Sequence, residues 1–303
     1  MKPRVSPSRI ACALCVGAAP EPYLAATLRS LEPAVDALVV NDNSGIDRSA
    51  NVAAIEDSAF SKDGRLHLMR TRFVDFADMR NRAQEALSSL EPSPEWVLFI
   101  DADEVHGAQV RYLAREVLPR LPPSIVQIDA YTYHFWGTFG WITDIARRMV
   151  FYRFSRGLRW ENPVHEKLAG LRGRRVVVPY IYHHYGNVLP PRLLAEKHQR
   201  YYRLGNPVPA PPDPDAADLQ MYLARAAEVR PFRGKHPLAA LGTVEAIRLE
   251  ASDAFAKLDA GFRERRTALV RARTSAASLN ELLRVRLRAI EHPLLFRAPV
   301  EAV

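Results

Sequence analysis

The chain has 303 residues, which allows one large domain or two small ones, and its 48% hydrophobic and 25% charged residues match an ordinary globular protein. Its apolar runs are strand-sized, which excludes a helix that could span a bilayer. The formal net charge of +8 would suit an anionic substrate, a membrane surface or nucleic acid. Because the arginines are spread along the chain without a dense basic tract, we expect no nucleic-acid partner.

The first hundred residues alternate between apolar runs and amphipathic stretches. The N-terminus has a basic start and a short apolar run, but this run leads into a helix pattern that carries the acidic Glu21 and Glu32. We therefore assign it to a first strand rather than to a signal peptide, and expect a cytoplasmic protein. Alternating strands and helices indicate a parallel, doubly wound sheet. We predict strands at 9–16, 37–40, 65–70 and 96–100, with helices at 21–31, near 48–59 and at 75–90.

The pattern changes in the second half of the chain. Residues 124–185 contain aromatic, strand-like runs, which predict antiparallel strands added to the same sheet. A proline-rich stretch then marks a boundary, and the remainder is rich in Ala, Leu, Arg and Glu, as in helices. We therefore predict a principal domain over 1–205, a linker over 206–215 and a helical region over 216–303.

Cys12 and Cys15 are the only cysteines, and they lie in the first predicted strand. A metal site or redox pair would need a second pair or a different context. Their odd spacing places them on opposite faces of a strand. We therefore interpret both as small apolar side chains of the core.

Acidic turns follow two of the predicted parallel strands. Asp42 follows the second strand, and Asp101, Asp103 and Glu104 follow the apolar fourth strand. Ligands bind at the carboxyl ends of such strands. Asp42 alone would suit an Asx turn, and Glu104 would suit a helix N-terminus. Three adjacent carboxylates, however, require a counter-charge, and a divalent cation with oxygen ligands is the simplest one.

Three histidines are further candidates for function. His165 adjoins Glu166, while His183 and His184 end an apolar strand. Each could be structural, a metal ligand or an acid–base group. The chain contains no P-loop, GxGxxG, GxSxG or HExxH motif, so other common catalytic classes find no support.

Taken together, these motifs resemble those of family 2 glycosyltransferases with the GT-A fold, in the subgroup with a "VHE" motif. The resemblance covers roughly residues 9–187, about three-fifths of the chain. It implies an α/β fold with a doubly wound mixed sheet, here followed by a C-terminal helical extension. The stretches that carry it are "VDALVVNDNSGIDRSAN", "FADMRNRAQEAL", "EWVLFIDADE", "RRMVFYRFSRGLRWENPVHEKL" and "YHHYGN".

The resemblance also implies residues that bind the donor, a nucleotide sugar. Asp42 matches the residue that holds the base or ribose, and Arg80 would approach the diphosphate. Asp101 and Asp103 match the DxD motif, which binds Mn²⁺ or Mg²⁺, with Asp103 as the more direct ligand. The family's usual Asn-Glu after the first strand is replaced by "VGAAPEPY", so its nucleotide-stacking contact has no counterpart here.

For catalysis, the resemblance places the base at Glu166 and the remaining metal ligand at His184, with His183 as the alternative. The family's common Glu-Asp pair is replaced by His165–Glu166, so Asp144 and Glu161 are the other candidates for the base. A carboxylate can accept the proton of an attacking hydroxyl.

The implied activity is metal-dependent, inverting transfer of a sugar from a nucleotide diphosphate sugar, with UDP-sugars favoured, to an acceptor hydroxyl. The acceptor would be a saccharide, a lipid-linked molecule or a protein in bacterial cell-surface polysaccharide or glycoconjugate synthesis. A sugar-phosphate nucleotidyltransferase is the alternative enzyme, but the Gly-rich basic loop is missing. A non-catalytic glycosyltransferase-like binding protein would lack the carboxylates, which are present.

Several other side chains have roles that the sequence leaves open. Arg147 and Arg148 would add positive charge to the site. The aromatics of 131–141 are interpreted as core, although Trp136 and Trp141 could stack on sugars. The amphipathic segment 279–297 would pack on its own domain, form a homodimer, or make a peripheral contact with the inner membrane.

Overall fold

A computed structural model gives the structure of the chain and describes residues 9–206 and 212–266, together with residue 283. Its first part follows the predicted alternation, with parallel strands in the sheet order β3-β2-β1-β4. The strands are β1 (Ile10–Val16), β2 (Ala37–Asp42), β3 (Leu66–Arg70) and β4 (Trp96–Phe99). The helices are α1 (Leu24–Leu31), α2 (Ala50–Glu56), α3 (Ala59–Lys62) and α4 (Phe76–Leu87).

Local side chains fix where three of these helices begin. The side chains of Ser49, Ser58 and Asp75 each accept a hydrogen bond from a backbone N–H in the first turn of α2, α3 and α4. These caps satisfy donors that have no partner within the helix. The alternation of strands and helices that the sequence predicted is confirmed over this part of the chain.

The sheet continues beyond β4 as β7-β6-β10-β5, so it is mixed rather than parallel throughout. Strand β7 is antiparallel to β4 and β6, which confirms the expected antiparallel additions, but β10 runs parallel to β6. Strand β7 returns the chain between β6 and β10, which lets these two strands run parallel, and a separate hairpin, β8–β9, lies between β7 and β10 in sequence. The elements are β5 (Glu104–Val105), α5 (Gln109–Tyr112), β6 (Ile125–Trp136), β7 (Thr138–Arg153), β8 (Arg159–Glu161), β9 (Lys167–Ala169) and β10 (Arg174–His184).

Within the described residues, the part of the chain that follows β10 is mainly helical, as predicted. Its elements are α6 (Pro191–Arg203), α7 (Gln220–Leu223), β11 (Arg230–Pro231), α8 (Leu238–Glu250) and α9 (Ser252–Arg265). Ala240 and Val244 of α8 pack with Tyr23 and Phe135 in one hydrophobic cluster, so this helix lies on the sheet. The proposed domain limits stay a prediction, and the segment 279–297 lies outside the described residues.

No helix in the described ranges is both long and apolar enough to cross a membrane. The fourth strand is buried on both faces, with Trp96, Val97 and Leu98 at 0% exposure, as its apolar sequence predicted. Cys12 and Cys15 are free thiols whose side chains pack into different hydrophobic clusters. Their core role and opposite faces are therefore confirmed.

The suggested stacking of sugars on Trp136 and Trp141 is wrong. Both side chains are buried, with exposures of 2% and 4%. Their indole nitrogens donate to the backbone oxygen of Tyr222 and to Asp259 Oδ1, at 3.1 and 2.8 Å. Helices from the C-terminal part cover these rings, so neither presents a free face to a ligand.

Candidate active site

The acidic turn at 101–103 joins the carboxyl end of β4 to the edge of β10. It does so because β5 pairs antiparallel with the end of β10, where Glu104 lies opposite His184. The backbone N–H of Tyr185 also donates to Asp103 O at 2.9 Å. The turn therefore brings its carboxylates to residues that follow about eighty positions later in the sequence.

Asp103 lies between two basic side chains. Lys197 Nζ, from α6, is 2.9 Å from Oδ2, and His184 Nε2 is 3.3 Å from Oδ1. Burial would raise the pKa of Asp103, but the charges of Lys197 and His184 hold it well below its usual value. Burial likewise opposes the charged form of His184, yet Asp103 raises the pKa of this imidazole. Asp103 is therefore ionised at neutral pH.

Arg80 joins Asp101 to Glu166, the predicted base. Its Nη2 lies 2.6 Å from Asp101 Oδ1, and its Nε is in direct contact with Glu166 Oε1. The guanidinium also lies over the ring of Phe99, 4.4 Å from the centroid. Burial would raise the pKa of Asp101, but Arg80 lowers it below its usual value. One cation thus fixes the orientation of two carboxylates.

Glu104 is almost fully buried and is part of the turn itself. Its Oε2 accepts a hydrogen bond from Asp101 N at 3.0 Å, so the suggestion that it begins a helix is wrong. Arg148, on β7, lies 3.7 Å from Glu104 Oε1 and 3.8 Å from Asp101 Oδ2. Burial and the charge of Asp101 raise the pKa of Glu104 to about 7. Near neutral pH this carboxyl group is therefore partly protonated.

The counter-charges that the sequence argument required are supplied by side chains. Arg80 pairs with Asp101, Lys197 with Asp103, and Arg148 with Glu104. A divalent cation was the simplest counter-charge that the sequence suggested, and the structure adds these side chains to it. The sequence argument did not include Lys197 and Arg148 among the counter-charges because α6 and β7 lie far from the turn in sequence.

A divalent ion nevertheless fits one part of the site. Over residues 9–206 and 212–266 no group of three or more His, Cys, Asp and Glu side chains is arranged to hold a metal. Asp103 and His184 alone offer one oxygen and one nitrogen, 3.3 Å apart, and Lys197 contacts only the other oxygen of Asp103. Two such donors suit an ion that takes its remaining ligands from phosphate and water.

The two neighbouring histidines point to opposite faces of β10, so only one reaches the carboxylates. His184 contacts Asp103, whereas the ring of His183 stacks on Phe135 within an aromatic cluster. Burial lowers the pKa of His183 to about 3. His165, the third candidate, is exposed and contacts Asn206 at 3.2 Å. Of the three, His184 is the one placed to act with Asp103.

A second histidine supports His184. His134 Nδ1, on β6, lies 3.1 Å from His184 Nδ1, so one ring must donate and the other accept. Burial and the neighbouring His184 lower the pKa of His134, which keeps it neutral. A neutral His134 that accepts through Nδ1 leaves a proton on His184 Nδ1 and directs His184 Nε2 toward Asp103. Such support of a ligating histidine is common in metal sites.

Asp42 occupies the carboxyl end of β2, next to Val16 at the end of β1. Its side chain is nearly buried, accepts a hydrogen bond from Ser44 N at 3.0 Å and lies 3.8 Å from Arg70 Nε. Through its hydrogen bond with Ser44 N, Asp42 therefore forms the Asx turn that the sequence suggested. Its proposed role toward the base or ribose of a nucleotide stays a prediction.

The loop that carries Glu166 has an unusual backbone. Asn162 and His165 have φ values of +73° and +55°, in the left-handed region that residues with a side chain seldom adopt. Pro163 O accepts a hydrogen bond from Phe76 N at 3.2 Å, which ties the loop to the start of α4. Strained backbone of this kind is held only where its surroundings impose it. Here it turns Glu166 toward Arg80.

The other predicted charges lie elsewhere. Arg147 extends to the opposite side of β7 from Arg148 and is 3.8 Å from Asp129. Asp144 and Glu161, the alternative bases, are exposed. Asp144 accepts a hydrogen bond from Thr143, and Glu161 pairs with Lys167 in the β8–β9 register. Glu166 is the one of the three candidate bases that contacts Arg80.

Sequence reasoning missed three side chains of this site. Glu21 lies close enough to Asp103 that burial and this neighbour raise the pKa of Glu21 to about 8. Asn51, on α2, donates to Gly17 O and Ala19 O, both at 2.9 Å, and so fixes the loop after β1. Lys197 was missed because α6 follows the stretches that carry motifs. Its only sequence signal is a basic helix face, which is common on solvated helices.

Replacing Arg80 by Met is expected to lower the free energy of unfolding, because it removes the cation that is closest to both Asp101 and Glu166. The loss should be about 2–3 kcal/mol, less than for a fully buried pair because the Asp101 side chain is 32% exposed. Arg80→Lys should lose less, since it keeps the charge but not the forked geometry. Arg82→Met, on the same helix but exposed, is the matched control and should change stability little. Urea unfolding would measure all three, and an unchanged Arg80→Met would contradict the pairing.

No protein-family model and no curated protein matches this sequence. Among solved structures, the chain is similar to the mannosyltransferase PcManGT from Pyrobaculum calidifontis in complex with GDP-Man and Mn²⁺. The identity is 16%, the coverage is 94% of this chain and 88% of that chain, and the TM-score is 0.47.

The chain is also similar to residues 1–349 of S. aureus TarS, with 12% identity, 95% and 89% coverage and a TM-score of 0.37. Glucosyl-3-phosphoglycerate synthase from Mycobacterium tuberculosis, in complex with Mn²⁺ and UDP, shares 16% identity over 41% of this chain and 44% of its own, with a TM-score of 0.29.

Proposed function

We propose that the protein is a metal-dependent inverting glycosyltransferase, which transfers a sugar from a nucleotide diphosphate sugar to an acceptor hydroxyl. The observation that carries the proposal is that Glu166, held by Arg80 next to Asp101, shares one sheet edge with the Asp103–His184 pair. A candidate base for the acceptor hydroxyl therefore lies close to the two side chains that would bind a metal ion. A UDP-sugar is the favoured donor, on the basis of the sequence resemblance.

Asp103 and His184 are the residues that would hold Mn²⁺ or Mg²⁺, with phosphate and water as the other ligands. When bound, the ion would neutralise the charge that develops on the departing diphosphate. His134 would support this arrangement by fixing the tautomer of His184. Asp101 is engaged by Arg80 and Arg148, which favours Asp103 as the direct ligand.

The chain's own side chains account for the remaining steps. Glu166 accepts the proton of the acceptor hydroxyl while the hydroxyl oxygen attacks the anomeric carbon. Arg80 contacts Oε1 of Glu166, which leaves Oε2 for the proton. Attack on the face opposite the leaving diphosphate inverts the anomeric configuration. Lys197 and Arg148 add fixed positive charge at the edge where the diphosphate would lie.

The acceptor and the biological setting rest on the sequence resemblance alone. We propose a saccharide, lipid-linked or protein acceptor in bacterial cell-surface polysaccharide or glycoconjugate synthesis, with the protein in the cytoplasm or peripheral at the inner membrane. The carboxylates, the oriented base and its cation support catalysis over the non-catalytic alternative. No contact of the site favours a nucleotidyltransferase.

A thermal-shift panel would test the proposal. Nucleotide sugars, nucleoside diphosphates and nucleoside triphosphates are each added with and without Mn²⁺. One family of nucleotide sugars should raise the melting temperature when Mn²⁺ is present, because a ligand at about 100 times its Kd stabilises a protein by about 2.7 kcal/mol. Stabilisation by nucleoside triphosphates alone would favour a nucleotidyltransferase instead, and no response to any nucleotide would refute the glycosyltransferase.

A further inference from the structure

Helix α6 places two cationic side chains along the carboxyl edge of the sheet. Lys197 Nζ lies 2.9 Å from both Asp103 Oδ2 and Gly186 O. Arg200 follows three residues later, on the same face of the helix. Its Nη1 is 3.8 Å from the position that a Cβ atom on Gly17 would occupy, so the guanidinium lies against the end of β1.

The end of β1 lies between the end of β2, which carries Asp42, and the end of β4, which leads into the turn with Asp103. Strand β1 lies between β2 and β4, and Val16 pairs with Asp42 across the sheet. Neighbouring strands are about 4.8 Å apart, so the ends of β2 and β4 are separated by about 10 Å. A nucleotide with its nucleoside at Asp42 and its phosphates near Asp103 must pass over Gly17, and therefore past Arg200.

The loop at this point carries short side chains that are open to solvent. Residues 17–20 read Gly-Ala-Ala-Pro, and the last three of them are exposed. Asn51 holds the loop through hydrogen bonds to Gly17 O and Ala19 O, both at 2.9 Å. The loop therefore presents only short side chains beside Arg200, on a backbone that Asn51 fixes.

The charge of Arg200, unlike that of the other two cations, is not neutralised by a carboxylate within the described ranges. Arg80 and Lys197 are each engaged by a carboxylate within hydrogen-bond distance. Arg200 is exposed, and over residues 9–206 and 212–266 it forms no ion pair or side-chain hydrogen bond. A guanidinium that is not neutralised by the protein suits a bidentate contact with phosphate oxygens.

We propose that Arg200 binds the diphosphate of the donor, the role that the sequence resemblance implied for Arg80, while Lys197 forms the adjoining end of the same cationic face. This inference rests on the proposed function, because the ligand is the donor of that reaction. It assigns diphosphate binding to α6 and limits Arg80 to positioning the two carboxylates that it contacts.

Calorimetry on the full chain tests the proposal with UDP, GDP, ADP, CDP, uridine and inorganic pyrophosphate, all with Mn²⁺. Arg200→Gln should weaken binding of the preferred nucleoside diphosphate and of pyrophosphate about ten- to a hundred-fold, with no change for uridine. Arg200→Lys should recover part of the loss. Arg203→Gln is the matched control, since Arg203 is exposed on the same helix and contacts Gln199 instead, and it should bind like the unmodified protein.

The outcomes separate this inference from the function on which it rests. If the unmodified protein binds a nucleoside diphosphate and Arg200→Gln binds it equally well, the role of Arg200 is refuted and the proposed function stands. If the unmodified protein binds neither a nucleoside diphosphate nor pyrophosphate, both are refuted. An equal loss in Arg203→Gln would also overturn the proposal, because it would indicate general surface charge. Equal melting temperatures of the variants would show that folding is not the cause.

Discussion

Glu166→Gln is expected to lower the rate of sugar transfer by about a hundred- to ten-thousand-fold, the usual contribution of a general base. Affinity for the donor should change little, because Glu166 contacts Arg80 rather than the acidic turn. Glutamine has the same shape, and its carbonyl oxygen can still accept the hydrogen bond from Arg80 Nε. It cannot, however, take the proton of an attacking hydroxyl.

The measurement compares release of nucleoside diphosphate, with the donor found by the thermal-shift panel, against donor affinity from calorimetry. Glu161→Gln is the comparison variant, because Glu161 lies on the neighbouring β8–β9 hairpin but is exposed. It should turn over normally. Full turnover by Glu166→Gln together with loss in Glu161→Gln would transfer the role of base to Glu161, and loss in neither variant would leave Asp144 to be tested.

Asp103→Asn is expected to abolish the gain in nucleoside diphosphate affinity that Mn²⁺ provides, a loss of about a hundredfold or more. The substitution removes the anionic oxygen that lies 3.3 Å from His184 Nε2. Asparagine retains an oxygen that can accept from Lys197, so the local packing is preserved. Affinity measured in EDTA should be similar in the variant and the unmodified protein.

Binding of Mn²⁺ alone, followed by electron paramagnetic resonance, gives a readout independent of turnover. Asp63→Asn is the control, because Asp63 is an exposed aspartate before β3, at the opposite end of the parallel strands, where it pairs with Arg65. Unchanged Mn²⁺-dependent affinity in Asp103→Asn would contradict the assignment of the metal. Nucleotide binding by the unmodified protein that is insensitive to EDTA would indicate that side-chain cations, and not a metal ion, neutralise the phosphates at this edge.

The contrast between Arg80 and Arg200 illustrates how a cation's partners decide its function. Arg80 stands in the helix that family resemblance connects with the diphosphate, but it is buried and contacts two carboxylates. If Arg80 turned from these carboxylates to a phosphate, they would lose their closest cation, which costs free energy in a buried site. Arg200 is exposed and unpaired within the described ranges, so it can meet an anion without such a loss.

The sequence by itself determined the alternation of strands and helices, the buried fourth strand and the acidic turn that follows it. These features are local: a run of apolar residues fixes a strand that is covered on both faces, and the end of a parallel strand fixes where a turn lies. The same local rules identified Cys12 and Cys15 as core residues and placed His183 and His184 at the end of one strand. They did not decide which histidine faces the carboxylates.

Only the tertiary structure decided the partners of the charges. Lys197 meets Asp103 across 94 positions of sequence, and Arg80 meets Glu166 across 86, and contacts at such separations leave no periodic signal in the chain. For the same reason Trp136 and Trp141, which lie beside glycines in sequence, proved to be covered by later helices. The sequence thus determined where negative charge collects, because that depends on strand ends. The packing of α6 and β7 against those ends decided which cations neutralise it, because that depends on the whole fold.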